Sequence, residues 1–293
     1  MSTTAELSRG TDLAVIGAAG KTGTAVVAAL ETAGTPPVRR VVHTARRTGD
    51  RAVDLETGAG LAEALSGCSG VYFIGPNMHP DEPALFARFL RAATEAGVDH
   101  VVYHSVAWPY TPAMPHHLDK ARCEDLLHTA ERVRWTVLQP CAYAENFAAV
   151  LDGTTDLLEV PYDPDAPFSF VALSDVADVA ARVLIEGADV HHGATYELGG
   201  PEAIGVRQLG TATGRPVAVR QVSFAEWERR HGAMLSAGTR ARLRAMFDFY
   251  DRHGFVAGST TLTALLGREP TRITDLAPRI PGPTPAGGVG RGT

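Results

Sequence analysis

Residues Gly17-Ala18-Ala19-Gly20-Lys21-Thr22-Gly23 carry the clearest chemical signal in the chain. They follow a short apolar run and open a helix-like segment. Glycines at this spacing permit a tight turn and let backbone N–H groups approach a pyrophosphate, and the helix N-terminus then stabilises the anion. The Gly20-Lys21-Thr22 triplet also suggests a nucleoside triphosphate loop. That motif needs a glycine five residues before Gly20, where the chain has Val15, so a dinucleotide is the better fit. An NAD site usually places an acid at the end of the second strand for the ribose 2′-hydroxyl. Here His43, Arg46 and Arg47 occupy that stretch, and the first acid is Asp50. Cations there suit a 2′-phosphate, so NADP(H) is expected over NAD(H), with Lys21 adding positive charge at the loop.

Only two lysines, Lys21 and Lys120, occur among 27 basic residues. Lys120 stands four residues after His116, so the two share a helix face. A histidine titrating near neutrality can serve as a general acid. His79, His116 and His117 show no metal-ligand spacing, and no metal is expected.

The elements that must position these residues alternate. Strand-like runs cover residues 13–16, 38–43, 71–74, 101–106 and 135–138. Helical segments cover 22–33, 61–65, 83–96 and 115–129, the last with Pro115 in its first turn. This alternation predicts a doubly wound parallel α/β sheet of the Rossmann type, with ligands at the strand C-termini. Residues 12–150 form the expected dinucleotide-binding domain. Residues 151–280 read mostly as a smaller substrate-binding lid, with some segments returning to the first domain. Within them, 168–171 reads as a strand, 174–185 as a helix with Ser174 at its N-cap, 195–198 as a strand, and 224–250 as largely helical. Residues 281–293, rich in Gly and Pro, read as a flexible tail.

Composition bounds the rest. The 293 residues are 45% hydrophobic and 20% charged, as in ordinary globular proteins. The net charge of −6 offers no basic field for nucleic acid. Cys68, Cys123 and Cys141 are scattered, which fits a reducing, cytoplasmic setting, and no membrane span or signal peptide is expected.

The G-x-x-G-x-x-G spacing resembles that of the extended and atypical short-chain dehydrogenase/reductases. Val53-Asp54-Leu55, Lys120-x-x-x-Glu124, Trp135-Thr136-Val137-Leu138-Gln139-Pro140, Asn146-Phe147 and Leu266-Gly267-Arg268-Glu269-Pro270 narrow the likeness to NmrA-like proteins over residues 12–276. The resemblance implies a cofactor site of Gly17, Gly20, Lys21, Thr22, Gly23, His43, Arg46, Arg47, Asp54, Gly75, Pro76, Lys120, Pro140 and Tyr143. It implies catalysis by Ser105 after the fifth strand and by Lys120, which holds the nicotinamide ribose. The tyrosine expected four residues before that lysine is His116, so His116 is the candidate proton donor. Gln139 stands where the family commonly has arginine. Asn77, Met78, Trp108, Tyr110, Met114, Asn146, Phe147 and Tyr250 are expected to contact a small, aromatic or polyketide-like carbonyl, quinone or activated alkene. The alternatives are an NADP-binding sensor that regulates a protein partner, or a tailoring enzyme that uses its cofactor without net redox change.

Overall fold

The computed structural model describes residues 12–276. Seven strands form one parallel sheet in the order β3-β2-β1-β4-β5-β6-β8. They are β1 (Asp12–Ile16), β2 (Arg39–Val42), β3 (Arg51–Ala52), β4 (Cys68–Phe73), β5 (His100–His104), β6 (Arg134–Pro140) and β8 (Ala194–Leu198). The order reverses between β1 and β4, which opens a crevice beyond their carboxyl ends. A separate parallel pair joins β7 (Leu157–Val160) to β9 (Ala218–Gln221).

Alternation along the strands builds two cores. Ala14, Ile16, Val71, Phe73, Val101 and Tyr103 face α2 (Leu61–Leu65), α3 (Glu82–Glu95) and α4 (Pro115–His128). Val15, Tyr72 and Val102 face the opposite way, towards α1 (Lys21–Thr32), α6 (Leu173–Glu186) and α11 (Thr260–Leu266). Both faces are covered, which is why the strands read as apolar runs.

A third core links α5 (Ala148–Leu151), β7, α8 (Val206–Ala212), α9 (Phe224–His231) and α10 (Ala237–His253) over the sheet's carboxyl edge. The short helices α7 (Ala188–His191) and α12 (Ile273–Leu276) complete the described chain. β8, α6 and α11 belong to the main sheet and its helices although they follow residue 151.

Several local expectations are corrected. Residues 168–171 form isolated bridges, Phe168 with Ile204 and Phe255 and Tyr143 with Val171, in place of a strand. Ser174 is not the cap of α6: the helix starts at Leu173, whose N–H donates to the Glu145 carboxylate at 3.0 Å. A carboxylate from a distant segment thus replaces the local cap. β6 runs through Pro140 instead of stopping before it. The 224–250 segment is two helices, broken between His231 and Ala237. The tail expected at 281–293 lies outside the described residues.

Candidate functional site

A cleft of about 1110 Å³ runs along the carboxyl ends of β1, β4, β5 and β6 and under the third core. Ordinary ligand pockets span roughly 300–1,000 Å³, so the space is at the upper end and suits a ligand as large as a dinucleotide. At one end lie Gly17, Gly20, Lys21, Thr22 and Gly23. The N-terminus of α1 has no side-chain cap and no acid in its first turn. Its free N–H groups and positive dipole end therefore face the cleft as an anion site. This is the observation that fits a dinucleotide pyrophosphate. Gly75, Pro76 and Asp54 line the adjoining wall. Asp54 also accepts the Glu56 N–H at 2.8 Å, which forms the turn after β3 and holds its carboxyl below the usual range.

Of the three cations after β2, His43 lines the cleft, while Arg46 and Arg47 are exposed and stand outside its wall. Among the described residues neither guanidinium has a partner. Asp50 is turned inward, and its side chain is 3% exposed. It accepts the backbone N–H groups of Arg46 and Arg47 and pairs with Arg40, so it is closed to a ribose hydroxyl.

Lys120 lines the same cleft as the glycine loop and the aromatic side chains of the third core. Its Nζ donates to Glu82 Oε1 at 2.7 Å and to the His104 carbonyl at 3.0 Å. Tyr103 Oη donates to the same Glu82 oxygen at 3.1 Å. An ammonium has three N–H groups, so one remains for a ligand. Lys21 Nζ donates to Asn146 Oδ1 at 2.9 Å and lies over the Tyr143 ring. Burial lowers the Lys21 pKa. The Tyr143 hydroxyl is bound to His104 Nε2 at 3.3 Å, and burial pushes its pKa up. Pro140, Asn77, Met78, Phe147 and Tyr250 also line the cleft.

Ser105 and His116, the catalytic candidates beside Lys120, both line the cleft, one engaged within the protein and the other unprotonated. Ser105 reaches the wall, but its hydroxyl donates to the buried Glu124, which also accepts from Gln139 Nε2 and the Tyr110 hydroxyl. His116 does line the cleft beside Lys120. Burial, then the neighbouring His117, lowers its pKa to about 3, so the ring is neutral near pH 7 and is no imidazolium acid. Its Nδ1 is buried without a hydrogen-bond partner. Trp108, Tyr110 and Met114 are absent from the wall. Trp108 packs on Phe249 and Phe255, Met114 is fully buried at the start of α4, and Tyr110 is 66% exposed.

Sequence reasoning missed Glu82, His104, Phe168, Phe170, Trp227 and Arg242, all of which line the cleft. Glu82 stood just before the segment read as a helix from residue 83, and His104 lay within the strand-like run 101–106. No local signal pointed to the others. Among the described residues no group of three His, Cys, Asp or Glu is placed to hold a metal, and no helix is long and apolar enough to cross a membrane.

The model of the NmrA-like family matches residues 10–273. No curated protein matches the chain by sequence. Among solved structures, the NADPH-dependent quinone oxidoreductase of Escherichia coli, complexed with NADPH, is 23% identical with a TM-score of 0.75, covering 90% of this chain and 97% of that one. Triphenylmethane reductase from Citrobacter sp., complexed with NADP(H), is 22% identical with a TM-score of 0.76, covering 90% and 98%. NmrA, a negative transcriptional regulator in complex with NAD, is 18% identical with a TM-score of 0.73, covering 91% and 94%. At these identities the likeness establishes the fold.

Proposed function

The chain belongs to the NmrA-like family, and we propose that it is an NADPH-dependent reductase of planar, conjugated hydride acceptors such as quinones. The cleft carries this reading: one continuous space joins the anion site at α1 to a chamber walled by Phe147, Phe168, Phe170, Phe247, Tyr250 and Phe255. Aromatic walls stack a flat acceptor and exclude water from it. Bound NADPH supplies the hydride. The glycine loop holds its pyrophosphate, the exposed Arg46 and Arg47 with His43 meet its 2′-phosphate, and the remaining N–H of Lys120 reaches its nicotinamide ribose.

The acceptor class follows from the protons. His104, His116 and His117 are all neutral near pH 7, with burial lowering them to about 3, 3 and 4. Ser105 and Tyr143 are tied to Glu124 and His104. A simple ketone would become a localised alkoxide in need of an acid. A quinone that takes a hydride becomes a delocalised hydroquinone anion, which takes its proton from water afterwards. The His116 ring, which lines the cleft and is neutral, serves such a substrate as a neutral polar neighbour. A cofactor-binding regulator without turnover is the reading that the missing acid favours, but it leaves the aromatic chamber without a purpose.

The test is NADPH oxidation with quinones, enones and simple ketones. Quinones should be turned over and simple ketones should not, and Lys120→Ala should weaken NADPH binding by about tenfold through the lost charge-assisted contact. Ketone reduction at a matching rate would overturn the proton argument. Tight NADPH binding with no turnover of any acceptor would return the regulator reading.

A further inference from the structure

The loop after β2 is held by a residue that its charge alone would assign to the cofactor. Asp50 is the first acid beyond the second strand. In an NAD site an acid in this region accepts the ribose 2′-hydroxyl. Here both of its oxygens are engaged within the protein. Oδ2 accepts the backbone N–H of Arg46 at 3.1 Å and of Arg47 at 3.0 Å. Oδ1 accepts Arg40 Nε at 3.0 Å. The Arg40 guanidinium extends the chain of contacts, since its Nη2 donates to the Ala18 carbonyl in the glycine loop at 3.1 Å. The next residue, Val41, accepts the N–H groups of Gly17 and Ala18 through its carbonyl. The two ends of the adenosine-phosphate site are therefore joined by one hydrogen-bonded bridge: arginine loop, Asp50, Arg40, glycine loop.

We propose that Asp50 and Arg40 are positioning residues that set the preference for NADPH over NADH without touching either cofactor. The proposal rests on the reading of residues 43–47 as the 2′-phosphate loop. The bridge fixes the backbone from which Arg46 and Arg47 project, and it fixes that backbone relative to the pyrophosphate site. Long, exposed arginines lose less freedom on binding when their stems start from a fixed loop. The N–H groups of Arg46 and Arg47 both point into the Asp50 carboxylate, so recognition of the phosphate falls to their side chains. The same N–H groups, that of Arg46 foremost, hold the Asp50 carboxyl below the usual range, and the bridge therefore stays charged at neutral pH. Loosening the loop costs only the 2′-phosphate contacts. NADH, which lacks that phosphate, is indifferent to it.

The experiment measures dissociation constants of both cofactors by calorimetry for the wild type, Asp50→Ala, Asp50→Asn and an Arg46→Ala/Arg47→Ala double variant, with and without Asp50→Ala. The wild type should prefer NADPH. Asp50→Ala should weaken NADPH by roughly tenfold, the low end for a contact to a charged group, and leave NADH within about twofold. Asp50→Asn keeps one acceptor oxygen and should fall between. Removing both arginines should abolish the preference, and adding Asp50→Ala should then change it no further, because the two act on one interaction. Should Asp50→Ala melt below the assay temperature, Asp50→Asn carries the comparison. Equal weakening of NADPH and NADH, or an unchanged ratio in a folded Asp50 variant, would overturn the proposal while leaving the phosphate-loop reading intact. A wild type that prefers NADH would overturn that reading, and this proposal with it.

Discussion

A Cβ on Gly23 would sit 2.2 Å from the Gly17 carbonyl oxygen, and one on Gly17 would meet Ile74 at 2.7 Å with the backbone at φ +79°. Both glycines are demanded by the protein itself, one by the packing of α1 on its own turn and the other by backbone conformation. Gly20 differs. Its φ is −77°, and an added Cβ would meet only the Gly17 carbonyl oxygen, at 3.3 Å. The backbone there is one any residue adopts, and a side chain needs a shift of that carbonyl by only a few tenths of an ångström, while its other side opens on the cleft. Gly20→Val should therefore fold, with an unchanged far-UV spectrum and a stability within about 1 kcal/mol of the wild type. It should lose NADPH binding by more than about a hundredfold, since the side chain blocks a charged group from the α1 N–H groups. Calorimetry on the folded variant checks it, and near-normal affinity would remove the pyrophosphate from this loop.

At the scale of elements, the decisive contact is one that couples α10 to α4 and to the loop before α3. Arg242 donates to Asp119 Oδ2 on α4 at 2.5 Å and to the Pro80 carbonyl, just before α3, at 2.9 Å. Both side chains are largely buried, at 17% and 8% exposure. Asp119 also pairs with Arg122 on its own helix, so removing Arg242 does not leave it without a cation. Arg242→Gln should cost about 2 kcal/mol, less than the loss from fully orphaning a buried charge, and should speed hydrogen exchange in α10 and around Pro80. Denaturant unfolding and exchange measurements test both halves.

This contact also marks where the sequence stops being legible. The buried strands β1, β4, β5 and β6 and the helices between them show in apolar runs closed by Gly97 or opened by Pro115, because burial on both faces leaves a local imprint. β7 and β9 leave none. Leu157-Leu158-Glu159-Val160 pairs with Ala218-Val219-Arg220-Gln221, about sixty residues away, and neither segment alternates cleanly. The glycine-loop end of the cleft was legible because the loop and Lys120 are single local signals, and both line it. The aromatic end was legible only in part: Asn77, Met78, Asn146, Phe147 and Tyr250 line the cleft as expected, while Phe168, Trp227 and Arg242 are brought there by chain crossings that no spacing encodes. Trp108 shows the converse: it follows β5 closely enough to suggest the cleft, yet at φ 54° its backbone sits in the left-handed region and its ring lies against Phe249 and Phe255.

For the whole molecule, the same burial that silences the histidines as acids makes the fold sensitive to acid. His100 and His104 lie on β5, and His116 and His117 begin the helix that follows it. Burial lowers the four to about 4, 3, 3 and 4. In the unfolded chain each returns to roughly 6.5. Between about pH 6.5 and 4 the unfolded state therefore binds more protons than the native one, and stability must rise with pH across that window and be lost as pH falls through it. One unit below 6.5, each buried neutral histidine costs up to about 1.4 kcal/mol, so the group removes a few kcal/mol of a total that is commonly 5–15. Net charge pulls the other way. The chain carries −6 at pH 7 with an isoelectric point near 6.0, so mild acidification relieves self-repulsion. The sign of the measured change decides which effect wins. Urea unfolding at pH 7.5, 6.5, 5.5 and 5.0 should show a plateau above about 7 and a progressive loss below 6.5. His100→Gln, which removes one titrating ring beside Thr136, should be less stable at pH 7.5 but lose less on acidification. A stability that rose steadily from pH 7.5 to 5.5 would mean that charge relief dominates and that these rings accept protons in the native state.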